Sequence, residues 1–378
     1  MDKLRSVTFV LCFTVAFALA LAPPVGAQAA PGDLDATFCT GGKVTTDFAG
    51  DSDHARAVAI QTDGKIVAAG KATNSRRGGE DFALARYNPN GTLDTTFGTG
   101  GRVTTDFAGD VDEAFAVVLQ ADGKIVAAGK ATAGYRGADF ALARYNPNGT
   151  LDTTFGTGGK VTTDFAGDAD QAFALVLQTD GKIVAAGEAT AGYRGEDFAL
   201  ARYNANGTLD TTFGVGGKVT TDFAGNTDRA FGVALQTDGK IVAAGEATAS
   251  YRGEDFALVR YNPNGTLDAT FGTGGKVTTD FAGDTDRAFA VAVQTDGRIV
   301  AAGETTTSYR GEDFALARYN PNGALDATFG EGGQVTTDFA GDTDRAFAVA
   351  LQTDGNIVAA GEAKTQTKED FALARYLR

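Results

Sequence analysis

One phrase, LDxTFxxGG followed by Lys, Arg or Gln and then VTTDFAG, begins at Leu34, Leu93, Leu151, Leu209, Leu267 and Leu325. The intervals are 59, 58, 58, 58 and 58 residues. A fixed period of this size makes each copy one supersecondary unit that leans on its neighbours to bury its apolar faces. The repeat therefore dictates the fold. The copies starting at Leu151 and Leu209 agree at 48 of 58 positions, so identity between copies records recent duplication and carries no functional weight.

Within the copy from Leu209 to Thr266, four β-type runs stand out: Lys218 to Phe223, Ala230 to Gln236, Lys240 to Glu246 and Asp255 to Asn262. No stretch keeps a helical period. The second and third runs are separated by Thr237-Asp238-Gly239, where Asp-Gly supplies a two-residue hairpin turn and makes the pair antiparallel. NPNGT after the fourth run punctuates a further turn. In the run from Ala230, Phe231, Val233 and Leu235 alternate with Ala230, Gly232 and Ala234, so bulky residues interlock with small ones where sheets converge on an axis. That run is strand A, nearest the axis. The polar run from Lys218 is the rim strand D, suited to a solvent-facing edge.

Six such units predict an all-β fold, a six-bladed β-propeller with four antiparallel strands per blade. The first D-type run, Lys43 to Phe48, has no partner before it, and the last C-type run, Asp370 to Tyr376, lacks a D strand. Pairing these two closes the ring and removes the exposed edge, where an open solenoid needs polar caps. Residues 30–378 then form a single propeller. Gly at 51 of 378 residues suits a chain dense in turns, and 43% hydrophobic residues supply a core.

Ahead of the repeats, Lys3 and Arg5 precede an apolar run from Val7 to Ala22 and a small-residue stretch containing Ala-Gln-Ala. This pattern predicts a secretory signal peptide over residues 1–29, cleaved near Ala27 to Ala29, and a secreted or periplasmic product with no membrane span after cleavage. Cys12 leaves with the signal, so Cys39 stands without an intramolecular disulfide partner. The net charge of -15 argues against nucleic acid as a partner.

The motifs LDxxFGxxG, QxDGKIVxxG and DFxLARYNxxG, spread from Leu34 to Tyr376, resemble the bacterial delta-60 repeat family. The resemblance implies a tandem-repeat β-propeller and brings no assigned activity or catalytic residues.

With this strand order, the D-to-A and B-to-C connections emerge on one face of the ring. There the B-to-C loops carry Tyr135-Arg136, Tyr193-Arg194, Tyr251-Arg252 and Tyr309-Arg310 in four successive blades. Tyr and Arg suit a repeated recognition patch. The competing reading packs each Tyr over its own blade and pairs each Arg with a nearby carboxylate. NSRRGG in the first copy and KTQTK in the last leave the patch lopsided.

A second set is Asp53, Asp112, Asp170, Asp228, Asp286 and Asp344, just before strand A. As a ring around the axial channel they would attract a hard cation such as calcium. As turn residues they would bond nearby backbone, since Asp-Thr-Asp lacks the spacing of a calcium loop. The residues that follow are His54, Glu113, Gln171, Arg229, Arg287 and Arg345, which make half of the rim basic and suit an acidic or zwitterionic ligand. Arg202 and Asp222, with their copies, read as cross-strand pairs. His54 is the sole imidazole, which disfavours a zinc site or a His-based triad. Cys39 replaces the Gly found at Gly98, Gly156, Gly214, Gly272 and Gly330.

Two functions remain open. One is a non-enzymatic, monomeric binding module for an extracellular glycan, peptide or surface protein. The other is a divalent-cation-dependent hydrolase or lyase with an acidic axial channel. Near-identical loops favour the first, because catalysis ordinarily needs one unlike constellation; fold alone does not separate them.

Overall fold

The computed structural model describes residues 34–48, 52–74, 79–107, 111–132, 137–165, 169–190, 195–223, 227–248, 253–281, 285–307, 311–339, 343–365 and 368–378. The predicted signal peptide lies outside the described residues.

The strands form six successive blades. The first contains β1 (Asp53–Ile60), β2 (Ile66–Asn74), β3 (Gly79–Tyr87) and β4 (Arg102–Thr105). The second contains β5 (Asp112–Leu119), β6 (Ile125–Thr132), β7 (Ala138–Tyr145) and β8 (Lys160–Thr163). The third contains β9 (Asp170–Leu177), β10 (Ile183–Thr190), β11 (Glu196–Tyr203) and β12 (Lys218–Thr221). The fourth contains β13 (Asp228–Leu235), β14 (Ile241–Thr248), β15 (Glu254–Tyr261) and β16 (Lys276–Thr279). The fifth contains β17 (Asp286–Val293), β18 (Ile299–Thr307), β19 (Gly311–Tyr319) and β20 (Gln334–Thr337). The sixth holds β21 (Thr343–Leu351), β22 (Ile357–Thr365) and β23 (Lys368–Tyr376). Within the first five blades the order is A-B-C-D and in the sixth A-B-C, with antiparallel pairing inside each blade, as the repeat predicts.

Two local details differ from the sequence reading. The A-to-B turn has three residues, not two: the Gly239 amide donates to the Gln236 carbonyl at 3.0 Å and the Gln236 amide to the Lys240 carbonyl at 2.9 Å. Gly239, at φ 83°, completes a turn followed by a bulge. In strand A the register slips between Ala230 and Gly232, leaving Phe231 unpaired. This bulge recurs in every A strand and breaks the expected simple alternation. Gly245 lies opposite it because a β-carbon there would overlap the Arg229 carbonyl.

Large-against-small packing appears instead in strands B and C. Val242, Ala244, Phe256 and Leu258 of the fourth blade pack on Ala288, Ile299, Ala301, Ala315, Ala317 and Tyr319 of the fifth. Each blade thus offers a bulky face to the next blade's alanine-rich face, and Phe256 is fully buried between them. Removing such a Phe to Ala costs about 3–5 kcal/mol. At each junction a C-strand Tyr also bonds the preceding D strand, as Tyr203 does to Thr163 at 2.9 Å.

Half of the expected ring joint is formed. Thr46 lies 2.7 Å from the Tyr87 hydroxyl, the contact that Thr105 makes with Tyr145 one blade later at 2.8 Å. The leading segment therefore sits against the first blade as a D strand of a preceding blade would. Its pairing with β23 is not made in this structure: Phe371 is 98% exposed and Leu373 65%.

Candidate functional site

The strand-A aspartates are placed by the turn that precedes them. Asp112 accepts the Phe107 amide on Oδ2 at 2.6 Å, and Asp170, Asp228, Asp286 and Asp344 accept the matching Phe amide at 2.7 Å. Each Asp therefore reaches five residues back to close the D-to-A turn, where the sequence offered a turn or an open rim. These five are fully buried, so they do not rim an open channel; Asp53, in the first blade, is half-buried. They meet other aspartates instead. Five sets form: Asp81, Asp106 and Asp112; Asp139, Asp164 and Asp170; Asp197, Asp222 and Asp228; Asp255, Asp280 and Asp286; Asp313, Asp338 and Asp344. In each set, one carboxylate oxygen per residue lies within 4.8 Å of the others. Burial, with the set's other carboxylates adding to it, pushes Asp112, Asp170, Asp228 and Asp286 up to about 6 against the pull of the donated amide.

Sequence reasoning missed these sets because it looked for like residues around the axis rather than unlike strands at one junction. The signal was present. Pairing of Phe82 with Thr105 brings Asp81 next to Asp106, and the short D-to-A connection returns Asp112 to the same end of the sheet.

The rim arginines are tied between blades. Arg229 places Nε 2.7 Å from Glu188 of the third blade, Nη1 3.2 Å from Glu246 of its own, and Nη2 3.5 Å from Glu196. Arg287 and Arg345 repeat this with Glu246, Glu254 and Glu304, and with Glu304, Glu312 and Glu362. In the second blade the signs reverse: Glu113 holds the Arg position, 2.8 Å from Arg56 and 3.8 Å from Lys71. A ladder that inverts its charges while keeping its pairing joins blades; it leaves no free basic half-rim. His54 stands exposed at the same rim.

Beside the ladder, the bulged Phe residues stack from blade to blade. Phe115, Phe173, Phe231, Phe289 and Phe347 have successive ring centroids 5.4, 5.3, 5.5 and 5.5 Å apart. Arg56 takes this place in the first blade.

On the opposite face, Arg202 pairs with Asp210, not with Asp222: Nε donates to Oδ2 at 2.8 Å. Its Nη1 donates to the Pro263 carbonyl of the next blade, and the guanidinium lies 4.6 Å above the Phe213 ring. The LDTTF motif is thus an inter-blade clip. Its carboxylate is held down to about 2: burial opposes this but is outweighed by the Thr212 hydroxyl and amide, with Arg202 and Lys182 adding. Cys39 occupies the equivalent of Gly98 and takes a φ of 42°.

The recognition pairs Tyr135-Arg136, Tyr193-Arg194, Tyr251-Arg252 and Tyr309-Arg310 lie outside the described residues. Glu196 and Glu254, which follow two of these loops, join the ion ladder. A cleft lined by Thr46, Phe48, Asp53, His54, Lys71 and Tyr87 lies at the first blade, where the ring's two ends would meet.

The profile of a family described as a domain of unknown function (DUF5122) beta-propeller matches residues 61–97, 120–155, 178–213, 236–271, 294–329 and 352–378. No curated protein matches the chain significantly. Among solved structures, the chain is similar to the α-L-arabinofuranosidase from Fusarium graminearum in complex with an iminosugar inhibitor. The two share 9% identity and a TM-score of 0.50 over 85% of this chain and 91% of that one. A glucose dehydrogenase is similar at 12% identity and a TM-score of 0.50, over 82% and 92%. At such identities the likeness establishes the fold alone.

Proposed function

The chain belongs to the DUF5122 β-propeller family, and on that footing we propose that it is a secreted or periplasmic, non-enzymatic binding module for an extracellular glycan, peptide or surface protein. Its repeats are, on this reading, delta-60 repeats, and the working form is a monomer. One observation carries the reading: the Arg–Asp clip recurs in five blades, from Arg86–Asp94 to Arg318–Asp326, and the aspartate sets recur at five junctions. Such repetition presents equivalent loop positions side by side, which suits a repeated contact surface better than a single reacting centre. The Tyr-Arg pairs of four successive B-to-C loops are the proposed contact residues, because Tyr combines apolar area with a polar tip and Arg forks onto carboxylates.

A glycan and surface-protein binding screen with the chain from Ala30 onward tests this. The expected result is a retained ligand whose binding falls at least tenfold when Tyr135, Tyr193, Tyr251 and Tyr309 are all changed to Ala. Undiminished binding by that variant overturns the patch. Chelator-sensitive cleavage of a polysaccharide replaces the reading with the hydrolase or lyase alternative.

A further inference from the structure

The repeat supplies six LDxTF aspartates and six strand-C arginines, and five of each are paired in the clips from Arg86–Asp94 to Arg318–Asp326. In every clip Oδ2 of the Asp takes the guanidinium Nε, while Oδ1 takes the Thr two residues on, as Asp268 takes the Thr270 amide at 3.1 Å and its hydroxyl at 2.7 Å. Left over among the described residues are Asp35 and Arg375, one near each end of the chain.

Asp35 is already half a clip. Its Oδ1 accepts the Thr37 amide at 2.9 Å and the Thr37 hydroxyl at 2.6 Å. The turn that it opens rests on the first blade as the other turns rest on theirs: the Cys39 amide donates to the Asn90 carbonyl at 2.6 Å, where Gly98 donates to Asn148 at 2.8 Å. Oδ2 therefore stands where the Arg of a preceding blade would arrive. Arg375 is that Arg by register, facing Val358 as Arg260 faces Val242, and it is exposed.

Two further observations make this joint weaker than the other five. Each paired Asp takes a second cation from an A-to-B turn, as Asp94 takes Lys65 at 3.1 Å and Asp326 takes Arg298 at 2.9 Å. The sixth blade carries Asn356 there, uncharged and bonded to Asp354 at 2.8 Å. The stack of bulged Phe rings also stops at Phe347, which is left 48% exposed, because Arg56 takes the Phe position in the first blade.

We propose that Asp35 and Arg375 are the two halves of one split clip, and that the joint it closes is a gate. The gate opens as a unit while all six blades stay folded, and opening uncovers Phe371 and Leu373, the apolar side chains of β23 that are exposed in this structure. When it is shut, Arg375 bonds Oδ2 of Asp35 and stacks on Phe38, as Arg260 stacks on Phe271 at 4.6 Å. Without a second cation or a continuous Phe stack, this joint has the smallest opening free energy of the six, and proteins open first where contacts are fewest. The gate requires that the ring close within one chain, and it is independent of what the propeller binds.

Hydrogen exchange of the chain from Ala30 onward, at two protein concentrations, is the test. Residues 43–48 and 370–376 should be protected, share one exchange rate faster than that of β14, and keep it at both concentrations. Asp35→Asn and Arg375→Gln should each speed both segments about fivefold, roughly the worth of one ion pair, and leave β14 unchanged. The double variant should be no faster than either single one, since both remove the same contact. Asn356→Lys should slow both segments, a gain that a poorly folded variant does not give. Unprotected segments in the parent, or a rate equal to that of β14, overturn the gate. So does acceleration confined to the segment nearer the substitution, an additive double variant, or protection that rises with concentration, which would assign the Arg to a second copy.

Discussion

Arg229 reaches out of its own blade to Glu188 of the preceding one, Nε to Oε2 at 2.7 Å, although Glu188 is almost wholly buried. Two blades earlier the same rung is held by Glu113 against Arg56 and Lys71. The pairing is therefore conserved within the chain while its polarity is not.

Exchanging the two polarities gives the first prediction. Arg229→Glu and Glu113→Arg each install a residue that the same position carries in another blade, so size and backbone preference are already tolerated. Each nonetheless puts like charges together in a partly buried site and should cost about 3 kcal/mol. Denaturant unfolding measures it. A change within about 0.5 kcal/mol for either variant would show that the ladder does not hold the blades.

Cys39 gives the second. At φ 42° it is the one non-Gly residue with positive φ among the described residues, in a place where Gly98 and its counterparts sit near 52°. A side chain in the left-handed region costs about 1–2 kcal/mol. Cys39→Gly should raise stability by about 1 kcal/mol, and Gly98→Ala should lower it by more, since a β-carbon at Gly98 meets the Arg102 carbonyl and Val103. Equal melting temperatures for parent and Cys39→Gly would count against this.

Acid provides the third. Asp152 and Asp210 are held down to about 2 by the Thr154 and Thr212 donors and by Arg144 and Arg202, despite burial. A carboxylate whose folded pKa lies below its unfolded value stabilises the fold above the unfolded pKa near 4. That contribution, on the order of 2 kcal/mol each, is lost as pH falls from about 4 to about 2. Melting temperature should drop steeply across that window, and less steeply in Asp210→Asn. A flat profile between pH 4 and 2 would refute the assignment.

Ring closure is the fourth. Carried from the first blade, where Ala83 faces Thr104, the register sets Thr45 opposite Ala372 of β23. Thr45→Cys with Ala372→Cys, in a Cys39→Ser background, should form a disulfide within one chain under mild oxidation. Non-reducing electrophoresis separates the outcomes: a faster-migrating monomer supports closure, whereas disulfide-linked oligomers would mean that the strand is exchanged between copies.

The sequence was enough for the number of blades, the strand order and the antiparallel pairing, because these follow from a local period that each copy states again. It also exposed the odd residue, Cys39, against five glycines. It misled where one residue's partner depends on register or on the neighbouring blade. Strand adjacency points Arg202 towards Asp222, yet the turn after the C strand folds back to offer Asp210 with the Phe213 ring beneath the guanidinium. The alternation through Phe231 was legible, but not the bulge that turns this Phe onto its neighbours' rings.

What only the tertiary structure decided is which carboxylates meet. Asp255, Asp280 and Asp286 belong to three segments and two blades, so no spacing within one strand encodes them; they converge because the sheet's register and the D-to-A turn end at one corner of each blade. Local order is written in the chain because it depends on neighbours in sequence. Charge convergence is not, because it depends on how one blade is set against the next.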